Sequence, residues 1–343
     1  MPPTRSLTDP WRLGPLEVPN RVMLAPLAGI GNWFVRLQAK RYGAGMTVSE
    51  MVSSHAVHYG NVKTCTEMLR IDPREREGGP VSIQLFGEDP EMMRSAAAHV
   101  ARVGADVIDI NMGCPVAKVQ KTGAGAALLD DPHRAVAVAR AAVDGAASER
   151  GALPVTVKLR SGLHPGDTSG FELAHRLVAE AGVAAIAFHP RSAAVQHRGV
   201  PDYELAARLV ESLPAPVILT GGLSDAASAR EAFADTGAAA LMLARGTLGN
   251  PWLFTELLGG GQRQPTRAEV LSELDWTIER AVEHLGAERA TRYLRKFYPW
   301  YLQRLCLDAE SAKRLQSSLQ AADTLTEVRR LLDRSRQPVA VAG

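Results

Sequence analysis

The sequence predicts a parallel (β/α)8 barrel followed by a small all-helical domain, and three observations carry that prediction. Eight short runs of apolar and β-branched residues recur before Gly246, most of them alternating with helical patterns. The 343 residues exceed one ordinary domain but suit a barrel of about 250 residues with an appendage. Chemically capable residues stand at the C-terminal end of one run after another, the end at which such barrels carry their active sites.

Taken in order, Gly14-Pro15 and Pro19-Asn20 are turn signals, so a short hairpin is expected around Leu13–Val18. Strand cores follow at Met23–Ala25, Thr47–Ser49, Val81–Leu85, Val107–Ile110, Val155–Leu159, Ala185–Phe188, Val217–Leu219 and Ala240–Leu243. Helical patterns cover Asn32–Tyr42, Glu91–Val103, His133–Ala147, Phe171–Ala181, Tyr203–Ser212 and Asp225–Ala234, with Asn32 suited to an N-cap. The stretch from Met51 to Gly79 has weak periodicity and a charged Pro-Arg-Glu-Arg-Glu cluster, and reads as loop or short helix. Beyond Gly259-Gly260-Gly261, Thr266-Arg-Ala-Glu opens with a capping box. Helices over 266–285, 288–304, 309–321 and 324–334 would form a small bundle. The division is therefore 1–258 for the barrel and 265–336 for the helical domain.

Bulk properties narrow the class. Hydrophobic residues make up 46% of the chain, ample for a core. The opening MPPTRSLTDPWRLG lacks the apolar run of a signal peptide, and no stretch approaches the roughly 18 apolar residues of a membrane span. Cys65, Cys114 and Cys306 have neither disulfide nor metal-ligand spacing. We expect a cytoplasmic monomer, without membrane or metal. A net charge of +2 does not by itself argue for a nucleic acid, but its distribution is uneven. Eleven Lys and Arg oppose five acids between Arg289 and Arg336, whereas Pro265–Glu288 has two arginines against six acids. A basic tail behind an acidic connector suits a phosphate-binding surface, or a set of solvated helices. The aromatic group Tyr293, Phe297, Tyr298, Trp300 and Tyr301 would either stack on bases or pack between helices.

The centre of the chain is Asp106–Asp130. Period-two alternation through Val107, Ile108 and Ile110 stops at Asn111-Met-Gly-Cys-Pro, which puts Cys114 on a loop at a strand tip. Behind it, Lys118, Lys121 and the run Gly123-Ala-Gly-Ala-Ala127 would let backbone approach a large anion. The other strand ends carry Pro26-Leu27-Ala28, Glu50, Gln84, Lys158, His189, Gly221-Gly222 and Ala244-Arg245-Gly246. Gly221-Gly222 and Arg245 suit a single phosphate, held by backbone N–H groups and a guanidinium. Gln84 both donates and accepts, as an amide–imide ring edge requires, and Lys158 would neutralise an anionic ring. Together these groups suit a flavin, and one phosphate suits FMN rather than FAD. The absence of a G-x-G-x-x-G fingerprint argues against a resident nicotinamide domain.

LAPLAGIGNWFVR, VSIQLFG, DINMGCPVAKVQKTGAGAALL, VTVKLRSG, PVILTGG and LARGTLGNPWLF resemble the tRNA-dihydrouridine synthase family, and RKFYPWYL in the tail is similar to its bacterial B-type branch. The resemblance implies an FMN barrel that reduces uridines of tRNA with electrons from NADPH or NADH. It implies Cys114 as the catalytic acid. It also implies flavin contacts by Pro26, Leu27, Ala28, Gln84, Lys158, Thr220, Gly221, Gly222, Ala244 and Arg245, with which His189 is grouped. Asn111 would orient the pyrimidine and Arg191 would meet the substrate or its phosphate. A thiol of ordinary pKa, about 8.5, is mostly protonated at neutral pH and can give a proton without special tuning. The stacked base would have to flip out to reach a barrel mouth. Three places depart from the family pattern: Gly29-Ile30-Gly31-Asn32 for Gly-Val-Thr-Asp, His189-Pro190-Arg191-Ser192-Ala193 for His-Gly-Arg-Thr-Arg, and Thr220-Gly221-Gly222 for Asn-Gly-Asp. The alternative reading is a flavin barrel acting on a free pyrimidine or enone.

Overall fold

The computed structural model of the chain describes residues 5–150, 153–261 and 264–336. Two strands, β1 (Trp11–Leu13) and β2 (Leu16–Val18), pair antiparallel around Gly14-Pro15. Gly14 takes a left-handed φ of +57°, which the two-residue turn requires. Eight further strands follow: β3 (Val22–Leu24), β4 (Met46–Ser53), β5 (Val81–Phe86), β6 (Val107–Met112), β7 (Val155–Arg160), β8 (Ala185–His189), β9 (Val217–Thr220) and β10 (Ala240–Leu243). They pair in parallel, each with its neighbour in sequence, and β10 closes the barrel onto β3. Helices Trp33–Arg41, Pro90–Arg102, Pro132–Arg150, Ser169–Ala181, Tyr203–Ser212 and Ala226–Thr236 stand between strands. Asn32 caps the first of these, its Oδ1 accepting from the Val35 N–H. The chain divides into two compact units, Met1–Gly246 with Leu257–Gly259, and Thr247–Glu256 with Gly260–Gly343.

Inside the barrel, the hairpin contributes Trp11, Leu13 and Val18 to one apolar cluster with Met23, Met46, Val48, Val107, Ala185, Ala187, Ile218, Ala240 and Met242. This cluster fills the end at which the strands begin. Because side chains alternate along a strand, Asp109 and Asn111 share the inward parity of Val107, and His189 that of Ala185 and Ala187. Polar groups are thereby carried to the opposite end.

The stretch 51–79, expected as loop or short helix, is more ordered than its weak periodicity suggests. It contains the helix Ser54–His58, a single wide turn at Thr64–Met68 and a 3₁₀ turn at Pro73–Gly78. The Pro-Arg-Glu-Arg-Glu cluster is partly internal: Glu75 is fully buried, and Arg36 binds both its carboxylate oxygens, at 2.7 and 3.1 Å. The same guanidinium donates to the carbonyls of Gly31 and Arg70. Lys40 ties the segment down again by donating to the carbonyls of Gly45, Gly78 and Pro80. A charged cluster carries no apolar period, which is why the pattern hid a packed segment.

In the second unit the capping box is present, Thr266 and Glu269 each accepting from the other's backbone N–H at the start of Arg267–Leu285. The helix expected over 288–304 is broken into Ala287–Leu294 and Tyr298–Leu302. Pro299 explains the break, since it has no N–H for the carbonyl of Arg295 and belongs in a helix's first turn. Ala309–Ala321 and Leu325–Arg334 complete the unit. Phe297, Tyr298 and Tyr301 are buried, and the Tyr301 hydroxyl bonds that of Thr277 at 2.9 Å. Packing rather than base stacking accounts for these three rings.

Replacing Arg36 with Met leaves the Glu75 carboxylate buried and uncompensated. We expect a loss of about 3–5 kcal/mol in urea unfolding, seen as a lower midpoint with unchanged slope. Arg36→Met with Glu75→Leu should recover part of it. Equal stability of the single variant and the native chain would show that the pair contributes nothing.

Candidate functional site

Three adjacent strands build the floor of the site. Gln84 on β5 lies in register with Asp109 on β6, and Asp109 with Thr156 on β7. Their side chains bond in sequence: the Thr156 hydroxyl donates to Asp109 Oδ1 at 2.5 Å, and Gln84 Nε2 donates to Asp109 Oδ2 at 2.6 Å. Asn111 Nδ2 then donates to Gln84 Oε1 at 2.9 Å, while Asn111 Oδ1 accepts from the N–H groups of Gly113 and Cys114. The expectation that Gln84 is free to span a ring edge is thus modified. One N–H and one lone pair of its amide are committed within the protein, and one of each remains.

Cys114 is half-buried on the loop after β6. Its carbonyl accepts from Ala126, and a Cβ on Gly125, whose φ is +64°, would lie 2.9 Å from that oxygen. Ala124 and Ala126 are fully buried. The small-residue run therefore packs beneath the cysteine loop instead of opening backbone to a ligand, which corrects the sequence expectation. Lys118 and Lys121 are exposed. On the other side Arg160, almost wholly buried, donates to the carbonyls of Gly113, Ser192 and Gln196. It fastens the cysteine loop to the loop after β8.

Charge is concentrated here. Burial pushes Asp109 up to about 6, against the pull of its bonds to Thr156 and Gln84 and the charge of Lys158. Burial, and then the like charge of Arg160, lowers Lys158 to about 8, while Asp109 and Cys114 act in the opposite sense. His189 is held far below the ordinary imidazole range, by burial first and then by Lys158, Arg160, Arg191 and His197. Arg191 Nη1 lies 3.3 Å from His189 Nε2. A guanidinium only donates, so this nitrogen accepts and the neutral ring carries its proton on Nδ1.

Beside His189, Gly221 and Gly222 both have left-handed φ, +98° and +82°. A Cβ on Gly221 would fall 2.2 Å from the His189 ring and one on Gly222 2.5 Å from the Tyr203 hydroxyl, which itself donates to the Gly221 carbonyl. A side chain at Gly221 would collide with the His189 ring, and one at Gly222 would have to displace the Tyr203 hydroxyl and the Pro201 ring. Arg191 bonds the Gly199 carbonyl through Nε and Nη2. The Arg245 charge acts on both Arg191 and His197. Neither Arg191 nor Arg245 makes an ion pair among the described residues, so this corner is a cluster of cations open to an anion. Across the mouth, Leu27 is buried while Pro26 and Ala28 are more open. The turn they begin is held by Gly31 N–H to the Leu27 carbonyl and by Gly29 N–H to the Glu50 carboxylate. Thr220 is buried at the end of β9, and Ala244 is half-buried just beyond β10.

Most of the predicted residues therefore gather at one barrel mouth. Sequence reasoning missed Asp109, Thr156, Arg160, His197 and Tyr203. Asp109 was findable, because it is a charge at inward parity between Val107 and Asn111.

Fold and site define a β/α barrel whose mouth carries a half-buried cysteine and a cluster of cations. Solved structures of similar architecture are a morphinone reductase (18% identical, TM-score 0.56, covering 78% of this chain and 94% of that one) and the histamine dehydrogenase of Rhizobium sp. 4-9 (14% identical, TM-score 0.57, covering 74% and 48%). At such identities they speak for the fold alone. The family model described as dihydrouridine synthase matches residues 23–339. tRNA-dihydrouridine synthase B of Pseudomonas aeruginosa is 36% identical over 304 residues, covering 86% of this chain and 87% of that protein. The Escherichia coli K12 protein of the same name is 35% identical over 297 residues, covering 85% and 89%. The chain belongs to the dihydrouridine synthase family, in its bacterial B-type branch.

Lys158 is charged below about pH 8 and neutral above it. If the FMN expected from the sequence binds at this mouth, its affinity, followed by fluorescence quenching, should weaken as pH rises through that value. Lys158→Met should bind more weakly throughout and lack this limb. A limb that survives in Lys158→Met would assign it to another group.

Proposed function

We propose that the chain is an FMN-dependent tRNA-dihydrouridine synthase, reducing the carbon 5–carbon 6 double bond of uridines in tRNA with electrons from NADPH or NADH. In this reading residues 1–258 are the FMN-binding catalytic domain and 265–336 the tRNA-binding domain. The observation that carries it is the placement of Cys114 beside Asn111 at the end of β6, on the same mouth as Lys158 and the Gly221-Gly222 corner. The residues present fit FMN. Arg191 and Arg245 are cations without carboxylate partners among the described residues, and the left-handed glycine pair admits a close approach that side chains would block. Thr220, Gly221, Gly222, Arg245 and His189 would hold the phosphate side, with Ala244 beside them. Pro26, Leu27, Ala28, Gln84 and Lys158 would hold the ring. When bound and reduced, the flavin supplies a hydride to carbon 6.

The protein's own part is the second half of the reduction. The Cys114 thiol gives its proton to carbon 5, and the thiolate left behind regains one from solvent. Asn111 keeps one N–H beyond those in its internal bonds, enough to hold a carbonyl of the base. Lys158 places positive charge beside a ring that becomes electron-rich. Neutral His189 accepts from Arg191 and keeps that guanidinium directed over the mouth. Burial of this floor keeps bulk water from the ring's inner face.

The helical unit supports a tRNA substrate over a free pyrimidine. Val328 and Leu332 of Leu325–Arg334 are buried, while Arg329, Arg330 and Arg334 are exposed on its open face with Thr326 and Asp333. None of these three arginines makes an ion pair among the described residues, whereas Arg292, Arg295, Arg314 and Arg336 do.

Cys114→Ala is expected to bind FMN and accept electrons from NADPH at the native rate, yet form no dihydrouridine in tRNA transcripts scored by mass spectrometry. Loss of flavin reduction in that variant would make Cys114 structural.

Reversing two exposed charges, Arg329→Glu with Arg330→Glu, should weaken tRNA binding and flatten its salt dependence by roughly 0.7–0.9 for each phosphate no longer neutralised. Reduction by NADPH should be unaffected. A folded double variant with native tRNA affinity and salt slope would remove this helix from the tRNA-binding surface.

A further inference from the structure

We propose that Asp109 is a positioning residue, setting the direction of a chain of side-chain hydrogen bonds that ends on the backbone of Cys114. It rests on the reading of Asn111 and Cys114 as the groups that meet the base.

An ionised carboxylate offers acceptors only. Asp109 is 1% exposed, and both its oxygens are engaged, Oδ1 by the Thr156 hydroxyl at 2.5 Å and Oδ2 by Gln84 at 2.6 Å. Gln84 must therefore turn its NH₂ toward Asp109, because the reversed amide would set oxygen against oxygen in a buried place. With Nε2 committed, Oε1 faces Asn111 and accepts from Nδ2 at 2.9 Å. That in turn leaves Asn111 Oδ1 for the N–H groups of Gly113, at 3.2 Å, and Cys114, at 2.9 Å. Each amide alone has two orientations of similar shape. Reversing Gln84 would oppose its NH₂ to that of Asn111, and correcting this by turning Asn111 would point an NH₂ at two backbone N–H groups. The chain thus has one self-consistent direction, and the only side chain in it that cannot both donate and accept is the carboxylate at its root. Burial raises the pKa of Asp109 to about 6, and at neutral pH it remains mainly ionised.

The consequence reaches the chemistry through geometry. Cys114 closes the turn, just before Pro115, and its own N–H and that of Gly113 hang on Asn111 Oδ1, so the thiol's position over the base depends on a carboxylate that touches neither.

Amide hydrogen exchange at Gly113 and Cys114 reads the far end of the chain in the full-length protein, with no need of bound flavin. Asp109→Asn keeps the shape but lets residue 109 show Gln84 either an oxygen or an NH₂. Exchange at these two amides should rise at least tenfold, while Ile108 and Ile110 in the strand ladder stay within twofold. Thr156→Val alone keeps the carboxylate and should change exchange less than threefold. Combined with Asp109→Asn it should give the largest rise, because the new NH₂ then has no hydroxyl to accept it and turns to Gln84. In turnover, Asp109→Asn should lower kcat for dihydrouridine formation at least tenfold, with KM for tRNA within threefold. Native exchange at Gly113 and Cys114 in Asp109→Asn overturns the proposal, as does an equal effect of Thr156→Val alone. Should Asp109→Asn not fold, Gln84→Met breaks the chain one link later, and unchanged exchange there overturns it too. The exchange pattern without any dihydrouridine formed by the native protein would instead refute the functional reading and leave the positioning role standing.

Discussion

Buried charge at one end of a closed barrel is the constraint around which this chain is arranged. Removing a carboxylate or an ammonium from water costs several kcal/mol or more unless partners replace the lost hydration. Asp109, the half-buried Lys158 and Arg160 lie on adjacent strands β6 and β7; Asp109 and Lys158 act on each other, and the charge of Arg160 acts on Lys158. Asp109 is satisfied by two short hydrogen bonds, and Arg160 by three backbone carbonyls. The opposite end can be apolar because the hairpin β1–β2 supplies Trp11, Leu13 and Val18 to seal it. A dry base and a charged mouth are two results of one alternation: inward positions near the strand starts are Met, Val and Ala, and those near the ends are Gln, Asp, Asn, Lys and His.

The barrel was legible because its signal is local and repeated. Each strand is a run of β-branched or apolar residues, and each helix a periodic segment with punctuation at its ends, so eight independent readings supported one architecture. Strand ends were less legible. β4 runs to Ser53, past the expected Ser49, with an irregularity in its pairing between Val48 and Met51. That irregularity breaks period-two alternation and made the strand look finished. In the helical tail the error had the opposite sign: good helix formers on both sides of Pro299 read as continuous, although the missing N–H interrupts the ladder.

The site was legible as residue types but not as a bonding pattern. Cys114, Lys158, His189 and the glycine pair announce themselves by standing where strands end. Nothing in sequence says that Gln84 already spends part of its amide on Asp109 and Asn111, because that depends on register across three strands. Arg160 was invisible for the same reason, since its partners are backbone carbonyls, which have no residue type. The run Gly123–Ala127 misled in an instructive way. Small residues permit close approach by anything, and here the neighbour is the protein's own cysteine loop, with Gly125 against the Cys114 carbonyl.

The departures from the family pattern make local physical sense. A Cβ at Gly31 would lie 2.9 Å from the Glu50 N–H nitrogen and 3.0 Å from the Leu27 carbonyl oxygen, so the glycine permits a tighter turn than threonine would. The turn is then gripped from both sides, Gly31 accepting from Arg36 and from Glu50. Asn32 still caps its helix, because an amide oxygen accepts from the Val35 N–H as a carboxylate would. Gly222 adopts a left-handed φ with the Tyr203 hydroxyl and the Pro201 ring where a Cβ would stand, so the side chain of an aspartate there would have to push both aside. Ala193 is only 5% exposed, and Arg160 reaches the carbonyl of its neighbour Ser192. A second arginine at position 193 would bring another charge into a loop already held by one buried guanidinium and flanked by Arg191. With Ala193 the loop carries one cation fewer, and the positive charge at the mouth is that of Lys158, Arg160, Arg191 and Arg245, which act on one another and on His189 and His197.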